Sequence, residues 1–351
     1  MKMKFQQALQ FLLEQEKQRH EAIKAKEEIC PVPPYHIYVE PTNACFLNCV
    51  FCVDKAQKGD KIGYLTSEMW RKIVDALSEY KILSPINIIG RGEPLMHKSL
   101  PEFVEYGNHK ELNCSIITNG VILKKALGEK LIKAGIKKIQ FSLHAHSPET
   151  YKKLTGFDYY DRIKKNILDL VEINEKQGKP CFINVMSVEN SMNKHESNDF
   201  LEYWSEIVDN CFVTPLYSVQ GTSKMSEEAM ETTFSHHEHT DHPGCVNPWI
   251  FMGFRYDGQI IPCPYDFPGK FIIGNIMDEG FDLMKVWNSE NIRALRRCQL
   301  TKDFSFSRES HYACEKCDVP FAPDSYKGLG EYTDNFPIVF SRMFGPILRN
   351  A

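Results

Sequence analysis

Short apolar runs alternate with longer amphipathic segments over most of the chain, beginning at Tyr35. Apolar runs bounded by turn residues are typical of buried strands, and a 3.6-residue apolar spacing is typical of helices. Strands that alternate with helices form parallel βαβ units with right-handed crossovers. The pattern therefore predicts an α/β fold, namely a partial (β/α)6 TIM-like barrel. The six strands are expected at YHIYVEP, INIIG, CSIIT, IKKIQFSLHA, CFINVMSV and FVTPLYSV, with helices near 67–80, 99–108, 121–135, 148–177 and 195–209.

Changes in composition divide the chain into five segments. A charged, amphipathic stretch that ends at three prolines predicts a largely solvated helical extension before the barrel. A polar stretch after Gly221 predicts a linker that precedes a second unit. The expected boundaries are an N-terminal helical extension at 1–34, the barrel at 35–221, a linker at 222–244, a small C-terminal domain at 245–320 and a tail at 321–351.

Bulk composition indicates an ordinary soluble enzyme. The 351 residues are 42% hydrophobic, and a formal charge of −4 gives no basic field for nucleic acid or an anionic membrane surface. Neither is therefore expected as a partner. The N-terminus has no apolar stretch of signal-peptide length, and no later segment approaches a membrane span, so a cytoplasmic location is expected. In such a chain, twelve cysteines indicate metal binding or catalysis rather than disulfides.

Three cysteines, Cys45, Cys49 and Cys52, lie in the loop that follows the first predicted strand. Barrels of this type carry their chemistry on the loops at the carboxyl ends of the strands. Thiolates are the usual ligands of iron-sulfur clusters, and three of them leave one iron of a 4Fe-4S cluster open to a small molecule. The alternatives are chance and a zinc site, although structural zinc requires a fourth ligand that is not close by in the sequence.

This loop, with the aromatic Phe51 before its last cysteine, resembles the Cx3CxΦC signature of the radical S-adenosylmethionine (SAM) superfamily. The resemblance extends over about residues 35 to 320. It implies that a 4Fe-4S cluster on the three cysteines binds SAM and cleaves it to a 5′-deoxyadenosyl radical, which abstracts hydrogen from a substrate. It also implies a flavodoxin- or ferredoxin-type electron donor.

Other elements of the same family follow the next strands. Arg91-Gly92-Glu93-Pro94 resembles the Gly-Gly-Glu-Pro element that holds the SAM amino group, with Arg91 in place of the first glycine. Thr118-Asn119-Gly120 resembles the family's turn after the third strand, and Ser142 matches a polar position near the SAM carboxylate or ribose. The resemblance thus implies SAM contacts from Gly92, Glu93, Asn119 and Ser142. Ordinary strand-ending turns and a tolerated serine are the alternatives.

Strand periodicity adds a candidate catalytic residue, His144. Side chains alternate with a period of two along a strand, so His144 and His146 are expected to face the barrel interior with Ser142. A histidine beside SAM can accept the proton released when a substrate radical is oxidised. A hydrogen-bonded structural histidine is the alternative.

Four cysteines in the last third of the chain form a second set. Asp257-Gly258 predicts a hairpin that returns Cys263 toward the segment after Cys245. Together with Gly274-Asn275-Ile276 and Trp287, these cysteines resemble the SPASM/twitch extension of radical SAM enzymes, in its shorter twitch form. The resemblance implies an auxiliary 4Fe-4S cluster on all four, and an all-cysteine zinc site is the alternative. Cys298 is expected to be structural. The four cysteines are Cys245, Cys263, Cys314 and Cys317.

The cysteine pattern and the His144-Ala145 step most resemble the twitch-type aminocyclitol dehydrogenases. This resemblance implies oxidation of a small polar molecule, such as a sugar or aminocyclitol, with the auxiliary cluster accepting an electron. A peptide-modifying maturase is the second hypothesis, disfavoured by an N-terminal extension too short for a leader-binding domain. A non-catalytic scaffold stabilised by zinc or a cluster is the third. The histidines at 236, 237, 239 and 242 are not expected to bind metal.

Overall fold

The computed structural model describes residues 5–52, 61–82, 84–216, 242–266, 268–309, 314–317 and 319–321. Six strands of the barrel alternate with helices in the order that the sequence predicts. An N-terminal helix, α1 (Phe5–Lys24), precedes them. The barrel elements are β1 (His36–Val39), α2 (Ser67–Glu79), β2 (Ile86–Ile88), α3 (Leu100–His109), β3 (Cys114–Thr118), α4 (Lys125–Lys133), β4 (Lys138–Ser142), α5 (Pro148–Thr155), α6 (Tyr160–Lys176), β5 (Phe182–Glu189), α7 (Ser197–Ser205) and β6 (Asn210–Pro215).

The C-terminal part adds three strands and four short helices. These elements are α8 (Asn247–Ile250), β7 (Phe251–Phe254), β8 (Gln259–Ile261), β9 (Gly274–Asn275), α9 (Leu283–Trp287), α10 (Glu290–Thr301) and α11 (Ser305–Glu309). The described part of the predicted linker begins at His242, so residues 222–241 and the three histidines at 236, 237 and 239 lie outside the described residues. Most of the predicted tail, 322–351, also lies outside them.

All nine strands form one sheet in the order β6-β5-β4-β3-β2-β1-β7-β8-β9. The first six are parallel to their neighbours, as expected for a partial (β/α)6 barrel. The pairing of β7 with β1, also parallel, is not predicted by the sequence. The predicted hairpin is present, because β8 returns antiparallel to β7 and Gly258 adopts a left-handed φ of 83° in the turn.

The two faces of the barrel strands differ in chemistry. One face is fully buried and apolar against the helices, and it includes Ile37, Ile88, Ile116, Ile139 and Val185. The alternate positions face the lumen, because side chains alternate with a period of two. Each of five neighbouring strands has a polar residue on this face, although Ile117 and Met186 on the same face are apolar. The polar residues are Tyr38, Asn87, Ser115, Gln140 and Asn184.

One local prediction in the barrel is wrong, and the argument for a second does not hold. The expected helix at 148–177 is two helices, because the chain turns at Gly156 with a φ of 79° and leaves α5 before α6 begins. Strand β4 ends at Ser142, and His144 has a φ of 63°. Strand alternation therefore does not extend to His144 or His146, so it cannot set the direction of their side chains.

The N-terminal helix is not solvated as the sequence suggests. Leu12, Glu16, Arg19 and Ile23 are all buried. The Arg19 guanidinium pairs with Glu16 and donates to the backbone oxygens of Pro33 (2.5 Å) and Trp249 (2.8 Å). The charged residues that made this segment resemble a surface helix instead attach it to the C-terminal domain.

The topology sets where the second cysteine set lies. His36, the first residue of β1, pairs with Phe251, the first residue of β7. Ile261, at the end of β8, pairs with Gly253 and the chain then runs back toward the start of β7. Cys263 therefore lies near the edge of the sheet where β1 begins, about 13 Å of strand away from the edge where β1 ends.

Candidate active site

The three-cysteine loop is anchored to the barrel by backbone contacts. The Val50 N–H donates to the carbonyl oxygen of Leu154 at 2.9 Å, and the Cys52 N–H donates to that of Cys49 at 3.2 Å. At the start of the loop, the Thr42 hydroxyl accepts the Ala44 N–H at 3.0 Å. These contacts fix the loop at the carboxyl end of β1, as the sequence predicts.

Gly92 allows the second strand end to pack against this loop. An added Cβ at Gly92 would lie 2.3 Å from the Thr42 carbonyl oxygen and 2.6 Å from that of Ala44. The next residue, Glu93, donates its N–H to the same Ala44 oxygen at 2.7 Å. Only glycine permits this approach, because the atoms it meets belong to the backbone.

The Glu93 side chain joins the second and third strand ends. Its carboxylate accepts the Leu95 N–H at 3.0 Å, the Thr118 hydroxyl at 2.6 Å and the Asn119 N–H at 2.8 Å. Burial raises the pKa of Glu93, and these three hydrogen bonds oppose that rise. A carboxylate offers about four acceptor positions, so this arrangement leaves about one for a ligand N–H.

Two buried polar atoms nearby fit a cofactor with donor and acceptor groups. The Asn119 Nδ2 atom and the Tyr151 hydroxyl are buried with no hydrogen-bond partner among the described residues. Burial raises the pKa of Tyr151, the Thr155 side chain opposes that rise, and the charges of Cys49 and Cys45 raise the pKa further. The arrangement suits a sulfur-rich group and a polar ligand beside it. The structure records no hydrogen bond for the Ser142 side chain.

His144 lies against the cysteine loop, with its ring edge-to-face with Phe51 at a centroid distance of 4.8 Å. Its Nδ1 accepts the Val188 N–H at 3.1 Å, and its carbonyl oxygen accepts the Asn193 amide at 2.8 Å. Burial lowers the pKa of His144 to about 4, so the ring is neutral at pH 7. Because Nδ1 is an acceptor, Nε2 carries the proton. This geometry favours a hydrogen-bond donor over the proton acceptor that the sequence suggests.

An ion pair at the same edge is not predicted by the sequence. Arg91 replaces the family's glycine, and its guanidinium contacts both carboxylate oxygens of Glu40 at 3.2 Å, with both residues buried. The guanidinium also lies 6.0 Å from the ring centre of Tyr256, in the β7–β8 turn. The departure from the family pattern therefore links the barrel strands to the C-terminal hairpin.

The second set of cysteines also comes together. Burial raises the pKa of the Cys314 thiol well above its usual value, and the charges of Cys263, Cys317 and Cys245 raise it further. A short 3-10 turn at Cys314–Lys316 positions the last pair, and the Cys317 N–H donates to the Cys314 carbonyl oxygen at 3.0 Å. The structure thus gathers the four cysteines that the sequence singles out.

Neither cysteine set matches the compact site of a single metal ion. Within the described ranges, no three Cys, His, Asp or Glu side chains converge closely enough to hold one ion. A zinc site gathers its thiolates at about 2.3 Å from one ion. The thiolates of an iron-sulfur cluster bind separate iron atoms, so they need not converge in this way. Their roles as ligands stay predictions.

Comparison with protein families decides the class. A model described as the radical SAM superfamily matches residues 39–191. The chain contains a radical SAM domain. A second model, SPASM, described as an iron-sulfur cluster-binding domain, matches residues 245–318 and contains the second cysteine set. The predicted domains and cofactors are thereby confirmed: a radical SAM domain implies a 4Fe-4S cluster and SAM, and a SPASM domain implies auxiliary iron-sulfur clusters.

Known proteins with similarity to this radical SAM enzyme act on different molecules. A probable GTP 3′,8-cyclase of Saccharolobus solfataricus is 34% identical over 164 residues, which is 46% of this chain and 50% of the cyclase. The chain thus spans about half the length of the curated relatives it matches. A structure of BtrN with AdoMet and 2-DOIA is 17% identical, with a TM-score of 0.50, and covers 76% of this chain and 87% of BtrN.

A structure of anSMEcpe with AdoMet and the Cp18Cys peptide is 16% identical to this chain, with a TM-score of 0.57. The match covers 91% of this chain and 98% of anSMEcpe. At this identity, both solved structures establish the fold alone. Among the described helices, none combines the length and the apolar character that crossing a bilayer requires.

Proposed function

We propose that this radical SAM enzyme oxidises a small polar substrate, such as a sugar or aminocyclitol, bound in the lumen of the barrel. The observation that carries the proposal is the polar lining of the lumen. A closed TIM barrel fills its interior with bulky branched apolar side chains. Here, each of five neighbouring strands presents a polar side chain there beside apolar ones, which supports a polar ligand in that space.

Two of these side chains have unused hydrogen-bonding capacity. Asn184 is buried, and its Oδ1 has no hydrogen-bond partner among the described residues. Its amide donates to Gln140 Oε1 at 3.1 Å, and the Gln140 amide donates in turn to the thioether sulfur of Met186 at 3.2 Å. A thioether is a weak acceptor. A hydroxyl or amine of a substrate would satisfy Asn184 Oδ1, and a substrate oxygen would serve Gln140 better than sulfur does.

His144 complements this pair at the carboxyl end of the barrel. Its Nε2–H can donate to a substrate oxygen, and the hydrogen bonds from Val188 and Asn193 hold the residue in place. A donor at one end of the substrate and an acceptor in the lumen would fix which carbon faces the cysteine loop. The proposed role of His144 is therefore to orient an alcohol or carbonyl oxygen rather than to remove a proton.

When bound, SAM with its cluster supplies the abstraction of a hydrogen atom, and the auxiliary cluster supplies an acceptor for one electron. Oxidation of an alcohol carbon removes one hydrogen atom, one electron and one proton in total. The proton leaves to solvent. Cys263 lies near the edge where β1 begins, so a group held there is separated from the three-cysteine loop. This separation supports electron transfer, rather than substrate binding, at the second cysteine set.

The proposal includes a small flavodoxin- or ferredoxin-type protein as reductant, because each reductive cleavage of SAM consumes one electron. It also includes a cytoplasmic location, where thiols that bind clusters stay reduced. The SAM contacts proposed are those of Phe51, Gly92, Glu93, Asn119 and Ser142. The domain boundaries given above remain part of the same proposal.

The test is an anaerobic assay of reconstituted protein with SAM and a reductant, in which 5′-deoxyadenosine is measured with candidate sugars, aminocyclitols and peptides. We expect a sugar or aminocyclitol to stimulate 5′-deoxyadenosine formation. Asn184→Leu should lower this stimulated rate about tenfold, the value of about one lost hydrogen bond. Asn198→Leu, at an exposed position on α7, should retain the wild-type rate.

Other outcomes contradict the proposal in distinct ways. Stimulation by peptides alone would replace the small substrate with a peptide-modifying activity. Identical behaviour of wild type and Cys49→Ala, with no cleavage of SAM by either, would support a non-catalytic scaffold. Stoichiometric zinc without iron or sulfide in anaerobically purified protein would lead to the same conclusion.

A further inference from the structure

The start of the cysteine loop is held by a short segment, residues 61–65, that lies just before α2. The Thr42 hydroxyl donates to the Gly63 carbonyl oxygen at 2.7 Å. The Asn43 side chain accepts the Gly63 N–H at 2.9 Å and donates to the Lys61 carbonyl oxygen at 3.2 Å. The two residues that lead toward the first cysteine of the loop are therefore bound to this segment through their side chains.

Tyr256, in the β7–β8 turn of the C-terminal domain, contacts the same segment. Its hydroxyl donates to the Lys61 carbonyl oxygen at 3.1 Å, so this one oxygen accepts from both Tyr256 and Asn43. A carbonyl oxygen has two lone pairs, and these two donors use both. The tyrosine ring lies against Gly63, where an added Cβ would be 2.0 Å from a ring carbon. The C-terminal hairpin thus touches the support of the cysteine loop.

The two ends of the segment are attached differently. At its end, the Leu65 N–H donates to the Pro41 carbonyl oxygen at 2.8 Å, and the His97 ring contacts the Leu65 carbonyl oxygen at 2.9 Å. At its start, Ile62 is 70% exposed. Among the described residues, the hydrogen bonds that join positions 61–63 to other parts of the chain come only from residues 42 and 43 and from Tyr256. Tyr256 is therefore the contact that connects the start of the segment to the rest of the protein.

We infer that Tyr256 is a positioning residue, which holds the 61–65 segment against Thr42 and Asn43 and thereby fixes Cys45 for binding of the cluster and SAM. The inference rests on the proposed function only in that the three cysteines of the loop bind the cluster. Side chains that hold metal ligands in place commonly change the affinity of a site 10- to 100-fold when they are mutated. The C-terminal domain would in this way support the first cluster site as well as its own.

The first experiment follows hydrogen exchange in the full chain without iron, by mass spectrometry of the peptides that contain Ala44 and Gly63. Their N–H groups donate to the side chains of residues 42 and 43, so their exchange reports on this contact directly. Tyr256→Phe removes the hydroxyl and keeps the ring, whereas Tyr256→Ala removes both. We expect about fivefold faster exchange in Tyr256→Phe, the value of about one lost hydrogen bond, and still faster exchange in Tyr256→Ala.

The second experiment measures the SAM affinity of the reconstituted protein, from the change that SAM makes in the electron paramagnetic resonance spectrum of the reduced protein. We expect about fivefold weaker binding in Tyr256→Phe and about tenfold weaker binding in Tyr256→Ala. Tyr106→Phe and Tyr106→Ala are the matched controls, because the Tyr106 hydroxyl also makes one hydrogen bond, to Asp75 at 2.9 Å between α3 and α2. They should change neither the exchange of these peptides nor the SAM affinity.

The outcomes separate this inference from the proposed function. Unchanged exchange in Tyr256→Ala would overturn the inference, and so would equal effects in the Tyr256 and Tyr106 variants, which would be a loss of general stability. Faster exchange with unchanged SAM affinity would also overturn it, because the segment would then not position the cysteines. If Tyr256→Ala does not fold, Tyr256→Phe serves under the same criteria. If the parent binds no cluster at the three cysteines, the proposed function fails, and the exchange measurement still decides whether Tyr256 holds the segment.

Discussion

Gly92→Ala tests whether the close contact between the second strand end and the cysteine loop is needed for cluster binding. The added Cβ would meet three backbone atoms at 2.3, 2.6 and 2.8 Å, which belong to Thr42 and Ala44. Ordinary contact distances are about 3.5 Å, so the two segments must separate by about 1 Å. Backbone cannot rotate away as a side chain does. The strain therefore falls on the segment that leads into Cys45.

The expected cost combines two effects. Overpacking in a tight region costs about 1–3 kcal/mol. Separation by about 1 Å also stretches the 2.7 Å hydrogen bond from the Glu93 N–H to the Ala44 oxygen beyond normal length, which adds about 1 kcal/mol. The total is about 2–4 kcal/mol. With an unfolding entropy of about 2.1 cal/mol/K per residue over 351 residues, the Tm should fall by about 3–5 °C.

The assay compares the apoprotein Tm and the iron bound after reconstitution. Gly128→Ala is the matched control, because its Cβ meets only side-chain atoms, at 3.0 Å from Leu170 and 3.9 Å from Ile173. It also lies within α4, where alanine is favoured over glycine by about 1 kcal/mol. We expect Gly92→Ala to lose the iron of one cluster and Gly128→Ala to keep all of it. Equal Tm values and equal iron in the two variants would refute the reasoning.

Three further predictions follow from the same contacts. Burial lowers the pKa of His144 to about 4, whereas an exposed histidine titrates near 6.5. Between these two pH values the unfolded chain binds a proton that the folded protein excludes, so the free energy of unfolding should fall by up to about 3 kcal/mol as the pH is lowered. His144→Asn should reduce this loss, because asparagine tolerates the left-handed backbone and does not titrate. Urea unfolding at pH 7 and pH 4.5 measures the effect, and a variant that loses as much unfolding free energy as wild type between the two pH values would contradict the prediction. Arg91→Met should lower the free energy of unfolding by about 3–5 kcal/mol, because it leaves the Glu40 carboxylate buried without its partner. Adding Glu40→Leu should recover most of this loss in the same urea assay. A double variant as unstable as the single one would count against the ion pair. Cys298→Ala should bind as much iron as wild type by colorimetric assay, and loss of one cluster's iron would instead make Cys298 a ligand.

Much of the barrel could be predicted because its signals are local. Apolar runs and turn residues define strands and helices within a few residues of their true ends, and the cysteine spacing identifies the loop at the end of β1. The break at Gly156 was missed because apolar spacing continues across it, although a glycine between two helical segments is a signal of a helix end. The direction of His144 could not be predicted, because the strand rule ends where β4 ends.

The features that sequence reasoning missed are long-range. Arg19 and Glu16 read as surface charges, since no local pattern shows that Trp249, more than 200 positions later, provides a carbonyl oxygen for the guanidinium. The hydrogen bond from the Cys245 N–H to the Gln299 side chain is hidden for the same reason. The polar lumen had a signal, because single polar residues such as Asn87, Gln140 and Asn184 interrupt otherwise apolar strands, but the partners of Asn184 depend on neighbouring strands.

The parallel pairing of β1 with β7 makes the C-terminal domain part of the barrel's own hydrogen-bonding. Every residue of β1 has a partner on β7, and Glu40 donates its N–H to the Phe254 oxygen just beyond the strand. A protein cut before residue 245 would leave β1 as an exposed edge strand with unpaired backbone groups and apolar side chains. Such a fragment should self-associate, so the radical SAM barrel and its auxiliary domain form a single unit of folding.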